Sequence, residues 1–280
     1  MRGTGSAMHA AGWTLAVLLA VGGIGTADAG ATLDRVKADK VLVEVTDSGY
    51  PPFSSLNDQN EVVGADIDIA AEVAKRLGVG LRIETPAWEI TTVGRWQGRY
   101  DVCICSMTPT KERAEVLDFV VRYYGAPAVI AVHKGDGRIK SAKDLTGMKV
   151  GVQAGSSYER YLNKTLVLEA PGAEPIQFPF GDVEIVPYPD EEQAYADLAL
   201  GAGKRLDAVV GNFLPANDRV QKGLPFAVVE QPIYDEPIWV ATDKGDLEFD
   251  AKIKEIILAM KADGTLTRIF EKWVGTDISQ

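Results

Sequence analysis

The chain has 280 residues and a formal net charge of −11 at pH 7, with 40 acidic and 29 basic side chains. This acidity argues against a nucleic-acid partner, because nucleic-acid binding depends on basic surface that neutralises phosphates. The acidic balance is otherwise ordinary for an exported protein, so it does not identify a ligand.

The first 29 residues are typical of a secretory signal peptide. Arg2 precedes an apolar run over residues 10–24, and Ala27-Asp28-Ala29 offers the small residues that a signal peptidase reads. The apolar run is too short and too weakly flanked to be a spanning helix. We therefore expect cleavage near Ala29–Gly30 and a soluble periplasmic protein. No cysteine lies near the cleavage point, so no lipid anchor is expected there.

From Val41 onward, segments typical of strands and helices alternate along the chain. The predicted strands are residues 41–45, 81–85, 101–105, 128–132, 149–153, 183–186 and 207–210. The predicted helices are residues 66–77, 157–166, 191–200, 213–222 and two within 247–273. Such alternation predicts parallel sheets with crossover helices. The pattern restarts after residues 124–128, which favours two α/β units, and the last two helices could close either one.

Residues 100–113 combine a short strand, a turn rich in hydroxyl groups and the start of a helix. Ser106, Thr108 and Thr110 follow the strand, and Arg113 lies in the first turn of the helix. Backbone N–H groups, hydroxyls and a guanidinium together suit a carboxylate or a phosphate. The alternative is a capped helix start, with Thr110 as N-cap and Arg113 in solvent. The local pattern leaves both interpretations open.

The two cysteines of the chain, Cys103 and Cys105, lie two residues apart on a predicted strand and point to the same face. A disulfide at this spacing would be strained. Two thiols without neighbouring histidines or further cysteines do not form a metal site. We expect two buried thiols, with Cys105 at the edge of a pocket. The sequence indicates neither a metal centre nor a cofactor.

Seven short motifs follow one another in the order and spacing of a known family. They are Tyr50–Phe53, Gly64–Asp68, Trp88, Ser106–Arg113, Asp118-Phe119 with Tyr123-Tyr124, Val150–Ser156, and Lys261–Thr265 with Glu271–Trp273. Together they resemble the extracytoplasmic solute-binding proteins, family 3, of ABC importers for polar amino acids. The resemblance implies a two-lobed periplasmic-binding-protein fold of class α/β. Each lobe would have a central, mostly parallel sheet flanked by helices, and two hinge strands would join the lobes.

The resemblance also implies the lobe boundaries and the ligand site. Lobe 1 would comprise residues 30–126 and 235–280, and lobe 2 residues 127–234, with the ligand in the cleft between them. Arg113, Thr108 and the N–H of Ser157 would bind the ligand's α-carboxylate, through a two-pronged guanidinium contact that lysine cannot reproduce. The other implied or nearby candidates are Tyr50 and Trp88 as an aromatic pair, Ser106, Gln153, Asp47, Asp66 and Asn212. The alternative for the two aromatic residues is core packing.

Asn212 departs from the family pattern. Relatives usually hold the ligand's α-ammonium with an aspartate just after the strand that here ends near Val210. An amide brings no charge to offset a desolvated ammonium. Three explanations stay open: another acid pairs with the ammonium, the amino group is substituted or absent, or the register is off by one or two residues. On this basis, Asn212→Asp is expected to raise the affinity for ordinary α-amino acids.

The implied function is capture of a small carboxylate ligand, an amino acid or a derivative, by a monomer that delivers it to the permease of an ABC importer. One alternative is an enzyme resembling periplasmic cyclohexadienyl dehydratases, with Glu89 or Glu159 as the acid. Another is a ligand-sensing module for a membrane receptor. The chain has no nucleophile motif or phosphate-binding loop, which favours a binding protein over an enzyme.

Overall fold

The structure is a computed structural model that describes Met1, Gly3 and residues 30–279. Apart from Met1 and Gly3, the predicted signal peptide lies outside these residues. The strands are β1 Val41–Val45, β2 Gly49–Tyr50, β3 Ser54–Leu56, β4 Val62–Val63, β5 Gly80–Glu84, β6 Val102–Met107, β7 Leu117–His133, β8 Lys149–Gln153, β9 Glu184–Tyr188, β10 Ala208–Asn212, β11 Phe226–Val228 and β12 Tyr234–Asp243. The helices are α1 Ala31–Asp39, α2 Ala65–Leu77, α3 Trp88–Thr92, α4 Lys111–Ala114, α5 Ser157–Leu162, α6 Glu191–Ala199, α7 Phe213–Gln221, α8 Leu247–Ala262 and α9 Thr265–Val274, with a short 3₁₀ helix at Ala142–Leu145.

The predicted strands and helices are present, with bounds that differ by one or two residues except in two cases. The predicted strand at residues 128–132 is the end of β7, a strand of 17 residues. The predicted helix over residues 157–166 ends at Leu162. In the part of the chain that the structure describes, no helix is both long and apolar enough to span a membrane.

One large sheet has the strand order β5-β1-β6-β12-β7-β10-β8-β9, with β11 paired to β7. At one end β1 runs parallel to β5 and β6, and at the other β8 runs parallel to β9 and β10. Between these two parallel groups, β12 pairs antiparallel with β6 and β7, and β10 pairs antiparallel with β7. This topology confirms two α/β units that share two crossing strands.

The long strand β7 contributes to a hydrophobic core in each of the two α/β units. Its residues Val120–Tyr124 pack with Leu42, Ile69 and Ile104, whereas Ala128, Ile130 and Val132 pack with Val150 and Val210. Helices α8 and α9 pack in the first core through Phe249 and Phe270, which answers the question left open by the sequence. We therefore propose the lobe boundaries that the resemblance implies, since β7 changes core close to residues 126 and 127.

Candidate functional site

A cavity lies between the two proposed lobes. Its wall is formed by Asp47, Tyr50, Trp88, Cys105, Ser106, Thr108, Arg113, Gln153, Ser156, Ser157 and Tyr158. About 30 Å³ of it is open to water-sized molecules, room for about two waters, so the lobes are tightly closed around it in this form. All the site residues predicted from the sequence lie on this wall except Asn212 and Asp66. Their contact with a ligand stays a prediction.

Arg113 is the basic side chain that the fold places on the cavity wall. The hydroxyl of Thr110 accepts a hydrogen bond from the Arg113 N–H and caps α4, as the local pattern predicted. The Arg113 side chain is not in solvent, because only 2 % of the residue is exposed. Its Nη1 donates to the Thr108 carbonyl at 2.9 Å and its Nη2 to the Gly155 carbonyl at 3.0 Å. Both local interpretations therefore hold in part: the helix is capped, and the guanidinium lies in the cavity.

Two of the five N–H groups of the Arg113 guanidinium are used in the bonds to the Thr108 and Gly155 carbonyls, which leaves the Nε–H and one N–H on each Nη for an anion. Within the described residues Nε is buried and has no hydrogen-bond partner, and the guanidinium carbon lies 5.4 Å from the ring centre of Trp88. Burial lowers the pKa of Arg113 to about 10, which still leaves the side chain charged at neutral pH. A buried cation with an unpaired donor is stabilised by a carboxylate placed against it.

Ser106 is held on the cavity wall by a network of buried hydroxyl and carboxyl groups. It adopts a φ of 56°, which is uncommon for a residue with a side chain. Its Oγ donates to Asp66 Oδ2 at 2.7 Å and accepts from the Tyr124 hydroxyl at 2.7 Å. The Tyr123 hydroxyl donates to Asp66 Oδ1 at 2.9 Å. Asp66 thus lies behind Ser106 and not on the cavity wall, and burial raises its pKa to about 8.

The two proposed lobes contact each other around the cavity. Gln153 Nε2 donates to Asp47 Oδ2 across one side of it. The hydroxyl oxygens of Tyr50 and Tyr158 lie 3.3 Å apart. At the rim, Arg160 Nε donates to Glu112 Oε2 at 2.6 Å. The cavity is therefore enclosed by residues of both lobes, and Gln153 and Asp47 contribute to that closure.

The structure reveals a buried carboxylate, Glu236, that the sequence motifs did not indicate. It lies on β12 and is 1 % exposed. Four neutral groups donate to it, two to each oxygen. Oε1 accepts from Thr108 Oγ1 at 2.6 Å and Ser157 Oγ at 2.7 Å, and Oε2 accepts from the Tyr158 hydroxyl at 2.7 Å and Asn212 Nδ2 at 3.0 Å. Alternation along β12 is the signal that could have found it, because Glu236 shares the buried face of Ile238 and Val240.

Asn212 is predicted to face the ligand, but the structure does not place it on the cavity wall. Asn212 is fully buried, and its Oδ1 accepts from the Leu214 N–H at 3.0 Å, which caps α7. Its Nδ2 donates to Glu236 and, at 3.4 Å, to the Ala126 carbonyl. Both polar atoms of the side chain are already used, so Asn212 lies behind the cavity wall.

The prediction of two buried thiols is wrong in one respect. Cys103 and Cys105 are buried as expected, and Cys105 lies on the cavity wall, but the structure joins them in a disulfide. The physical reason is geometric: both side chains point to one face of β6, and their Cα atoms are 5.0 Å apart, within the range that disulfides span.

Thiol titration tests this disulfide. We expect the exported protein, unfolded in guanidinium chloride under an inert atmosphere, to show no free thiol before reduction and two thiols afterwards. The matched control is the same sample carrying Cys103→Ser and Cys105→Ser, which should show none in either case. Two thiols before reduction would contradict the bond.

The two acids considered for an enzyme do not line the cavity. Glu89 is exposed on α3. Glu159 is partly buried, and its Oε2 accepts from the Gly155 N–H at 2.7 Å, which stabilises the first turn of α5. Both positions therefore fit a structural role better than a role in acid catalysis.

Comparison with known proteins establishes the family. Residues 42–276 match the bacterial extracellular solute-binding proteins, family 3. The L-cystine-binding protein TcyJ of Escherichia coli strain K12 is 32% identical over 250 residues, which cover 89% of this chain and 88% of that protein.

Solved structures agree with this match. An ancestral arginine-binding protein bound to arginine is 33% identical, has a TM-score of 0.72, and aligns over 84% of this chain and 98% of its own. An ancestral amino acid-binding protein, a precursor of cyclohexadienyl dehydratase, is 29% identical, with a TM-score of 0.75 and coverage of 87% and 100%. The two-lobed α/β fold, the cavity between the lobes and a family match that spans most of the chain show that the protein belongs to family 3 of the bacterial extracellular solute-binding proteins.

Proposed function

We propose that the protein is a periplasmic solute-binding protein that captures an amino acid or an amino-acid derivative in the cavity between its lobes. The observation that carries this proposal is the buried Arg113 guanidinium, which lines the cavity and whose Nε–H has no hydrogen-bond partner among the described residues. Thr108 and Ser157 lie beside it on the wall and supply hydroxyl groups for the same carboxylate.

The ligands of the relatives support the amino-acid class. TcyJ is named for binding L-cystine, and solved structures of ancestral arginine-binding proteins hold arginine or glutamine. These three compounds share the carboxylate and ammonium on one carbon and differ in their side chains. We infer that Arg113 binds the shared carboxylate, while Tyr50, Trp88 and Asp47 face the variable side chain.

The fold suits a hinge mechanism for capture. Tyr50, Trp88, Ser106, Thr108 and Arg113 belong to lobe 1, so an open cleft would take up the ligand there. Lobe 2 then closes over it by bending of β7 and β12, the strands that both lobes share. Because the ligand bridges both lobes, the closed form reports occupancy to the membrane permease of an ABC importer. Export would remove residues 1–29, with cleavage near Ala29–Gly30.

We propose binding without turnover. A dehydratase on this scaffold needs a positioned acid that faces the substrate. Asp47 is the acid on the cavity wall, and its carboxylate already accepts from Gly49 N–H and Gln153 Nε2. Glu236, behind the wall, already accepts four hydrogen bonds. The structural neighbour that is a precursor of cyclohexadienyl dehydratase is itself an amino acid-binding protein.

A thermal-shift screen tests this function. We expect at least one of L-arginine, L-glutamine, L-histidine and L-cystine, at about 100 times its Kd, to raise the melting temperature by about 5 °C or more. The matched controls are the α-carboxamides of the same compounds, which should give no shift because they lack the carboxylate. An assay of prephenate consumption should stay at background. Turnover of prephenate, or equal shifts with acids and carboxamides, would contradict the proposal.

A further inference from the structure

Glu236 is a buried carboxylate without a direct ion pair in the part of the chain that the structure describes. Within the described residues, no lysine or arginine forms an ion pair with it. Its four donors are three hydroxyl groups and one amide, all uncharged. Burying a carboxylate is costly, and neutral hydrogen bonds repay that cost less well than a cation does. The site is therefore one that a positively charged group would stabilise.

The Glu236 carboxylate lies behind the cavity wall, separated from the cavity by its donors Thr108, Ser157 and Tyr158, and close to the proposed carboxylate anchor. Thr108 links the two: its backbone carbonyl accepts from Arg113 Nη1 at 2.9 Å, and its hydroxyl donates to Glu236 Oε1 at 2.6 Å. An α-amino acid carries its carboxylate and its ammonium on one carbon, so its binding site needs a cation and an anion close together. Arg113 and Glu236 satisfy this requirement, because one bonds the backbone carbonyl of Thr108 and the other bonds its side-chain hydroxyl.

The donors to Glu236 can be released without moving the backbone. Thr108, Ser157 and Tyr158 all lie on the cavity wall, and each donates through a hydroxyl group that can rotate. When a ligand enters, the hydroxyls of Thr108 and Ser157 can turn to donate to its carboxylate. Glu236 then accepts from the ligand's ammonium, and a charge-assisted bond replaces a neutral one.

We propose that Glu236 binds the α-ammonium of the ligand, in place of the aspartate that the family pattern has at position 212. This inference rests on the proposed function and sharpens it, because it assigns the ligand to α-amino acids with a free amino group. Asn212 becomes a positioning residue: its Nδ2 holds Glu236 at 3.0 Å while its Oδ1 caps α7.

This assignment reverses the expectation for Asn212→Asp. With Glu236 in place, an aspartate at position 212 would put two carboxylates about one hydrogen bond apart, and each would disfavour the charge of the other. An aspartate at position 212 would therefore favour ammonium binding only in a variant in which Glu236 is replaced by an uncharged residue.

One other role for Glu236 fits the same contacts. Glu236 bonds to Thr108 and Ser157, which are residues proposed to bind the ligand's carboxylate. Its carboxylate would then imitate the ligand and compete with it. The two roles predict opposite effects of removing the charge, so one substitution separates them.

Isothermal titration calorimetry of Glu236→Gln tests the proposal. The probe is whichever of L-arginine, L-glutamine, L-histidine and L-cystine the wild-type protein binds most tightly, paired with the same compound without its α-amino group. We expect Glu236→Gln to weaken binding of the amino acid by at least about 30-fold and to leave binding of the deaminated compound unchanged. The matched control is Asp235→Asn, which removes one charge from the neighbouring, exposed position of β12 and should change neither affinity.

A second variant keeps the test independent of any packing defect. The double substitution Glu236→Gln with Asn212→Asp moves the carboxylate from position 236 to position 212, two positions whose side chains are in hydrogen-bond contact in the wild-type protein. It should recover at least about tenfold of the lost affinity for the amino acid, whereas Asn212→Asp alone should not strengthen binding. Melting temperatures of all variants show whether each one is folded.

Each outcome decides a different question. Equal losses for the amino acid and its deaminated analogue, or no recovery in the double variant, would overturn the ammonium role. Tighter binding by Glu236→Gln would overturn it in favour of competition with the ligand. If the wild-type protein binds none of these amino acids, the proposed function fails as well.

Discussion

Replacing Arg113 with alanine is expected to weaken binding of the amino acid found in the screen by at least about 30-fold, and up to several thousand-fold. Arg113 is 2 % exposed, so the ligand's carboxylate would lose its cation in a site that water does not screen. Arg113→Lys should also bind weakly. A lysine also has three N–H donors, but all three lie on one nitrogen, so they cannot reach the Thr108 carbonyl, the Gly155 carbonyl and the ligand as the three nitrogens of a guanidinium do.

Lys111 supplies the matched control for this titration. It lies on the same short helix and is exposed, so Lys111→Ala removes an equal charge without touching the cavity. We expect its affinity to stay within about threefold of wild type, the range of most surface substitutions. Equal affinities for Arg113→Ala and Lys111→Ala, both folded, would contradict the anchor role of Arg113.

The free energy of unfolding is expected to fall as pH rises from 5 to 9. Burial raises the pKa of Asp66 and that of Glu191 to about 8, well above the usual values of these groups. A group with a raised pKa in the folded state costs nothing when both states are protonated, and its cost grows as pH rises through the folded pKa. Asp263, whose pKa is lowered to about 2, keeps its charge throughout this range. We expect the melting temperature to drop by at least about 4 °C between pH 5 and pH 9.

Asp66→Asn should flatten this pH dependence. The amide has the shape of the carboxyl group. One of the Ser106 and Tyr123 hydroxyls can rotate to accept from its Nδ2, while the other continues to donate to its Oδ1. Asp58→Asn, at an exposed position, is the control and should keep the wild-type slope. Melting curves in one buffer series at constant ionic strength measure the effect. A wild-type slope in Asp66→Asn, or stability that increases towards pH 9, would contradict the raised pKa.

The sequence predicts the regular part of this fold well because hydrophobic periodicity fixes local structure. The segments 41–45 and 149–153 are strands with the predicted bounds, and α2 ends at Leu77 as predicted. Hydrophobic periodicity does not predict the first part of β7. Asp118, Arg122, Gly125 and Pro127 interrupt its pattern, and only its pairing with β12 makes the whole segment a strand.

The candidate site was predictable where it coincides with motifs and was missed where it depends on the fold. Arg113, Thr108 and Ser157 belong to short patterns that resemble a family. Glu236 belongs to none, and its neighbour Pro237 weakens any strand prediction there. Its importance arises from contacts with residues between 24 and 128 positions away along the chain. Such contacts are set by how the two halves of the sheet meet, which no local pattern records.

The central claim is that Arg113 and Glu236 together bind the head group of an α-amino acid between the lobes. A crystal structure of the protein with the amino acid that binds most tightly in the screen tests it most directly. We predict that the ligand's carboxylate lies within about 3.2 Å of an Arg113 guanidinium nitrogen and its ammonium within about 3.2 Å of a Glu236 oxygen. A ligand bound elsewhere, or one whose ammonium contacts Asp47 while Glu236 keeps its four neutral donors, would contradict the account.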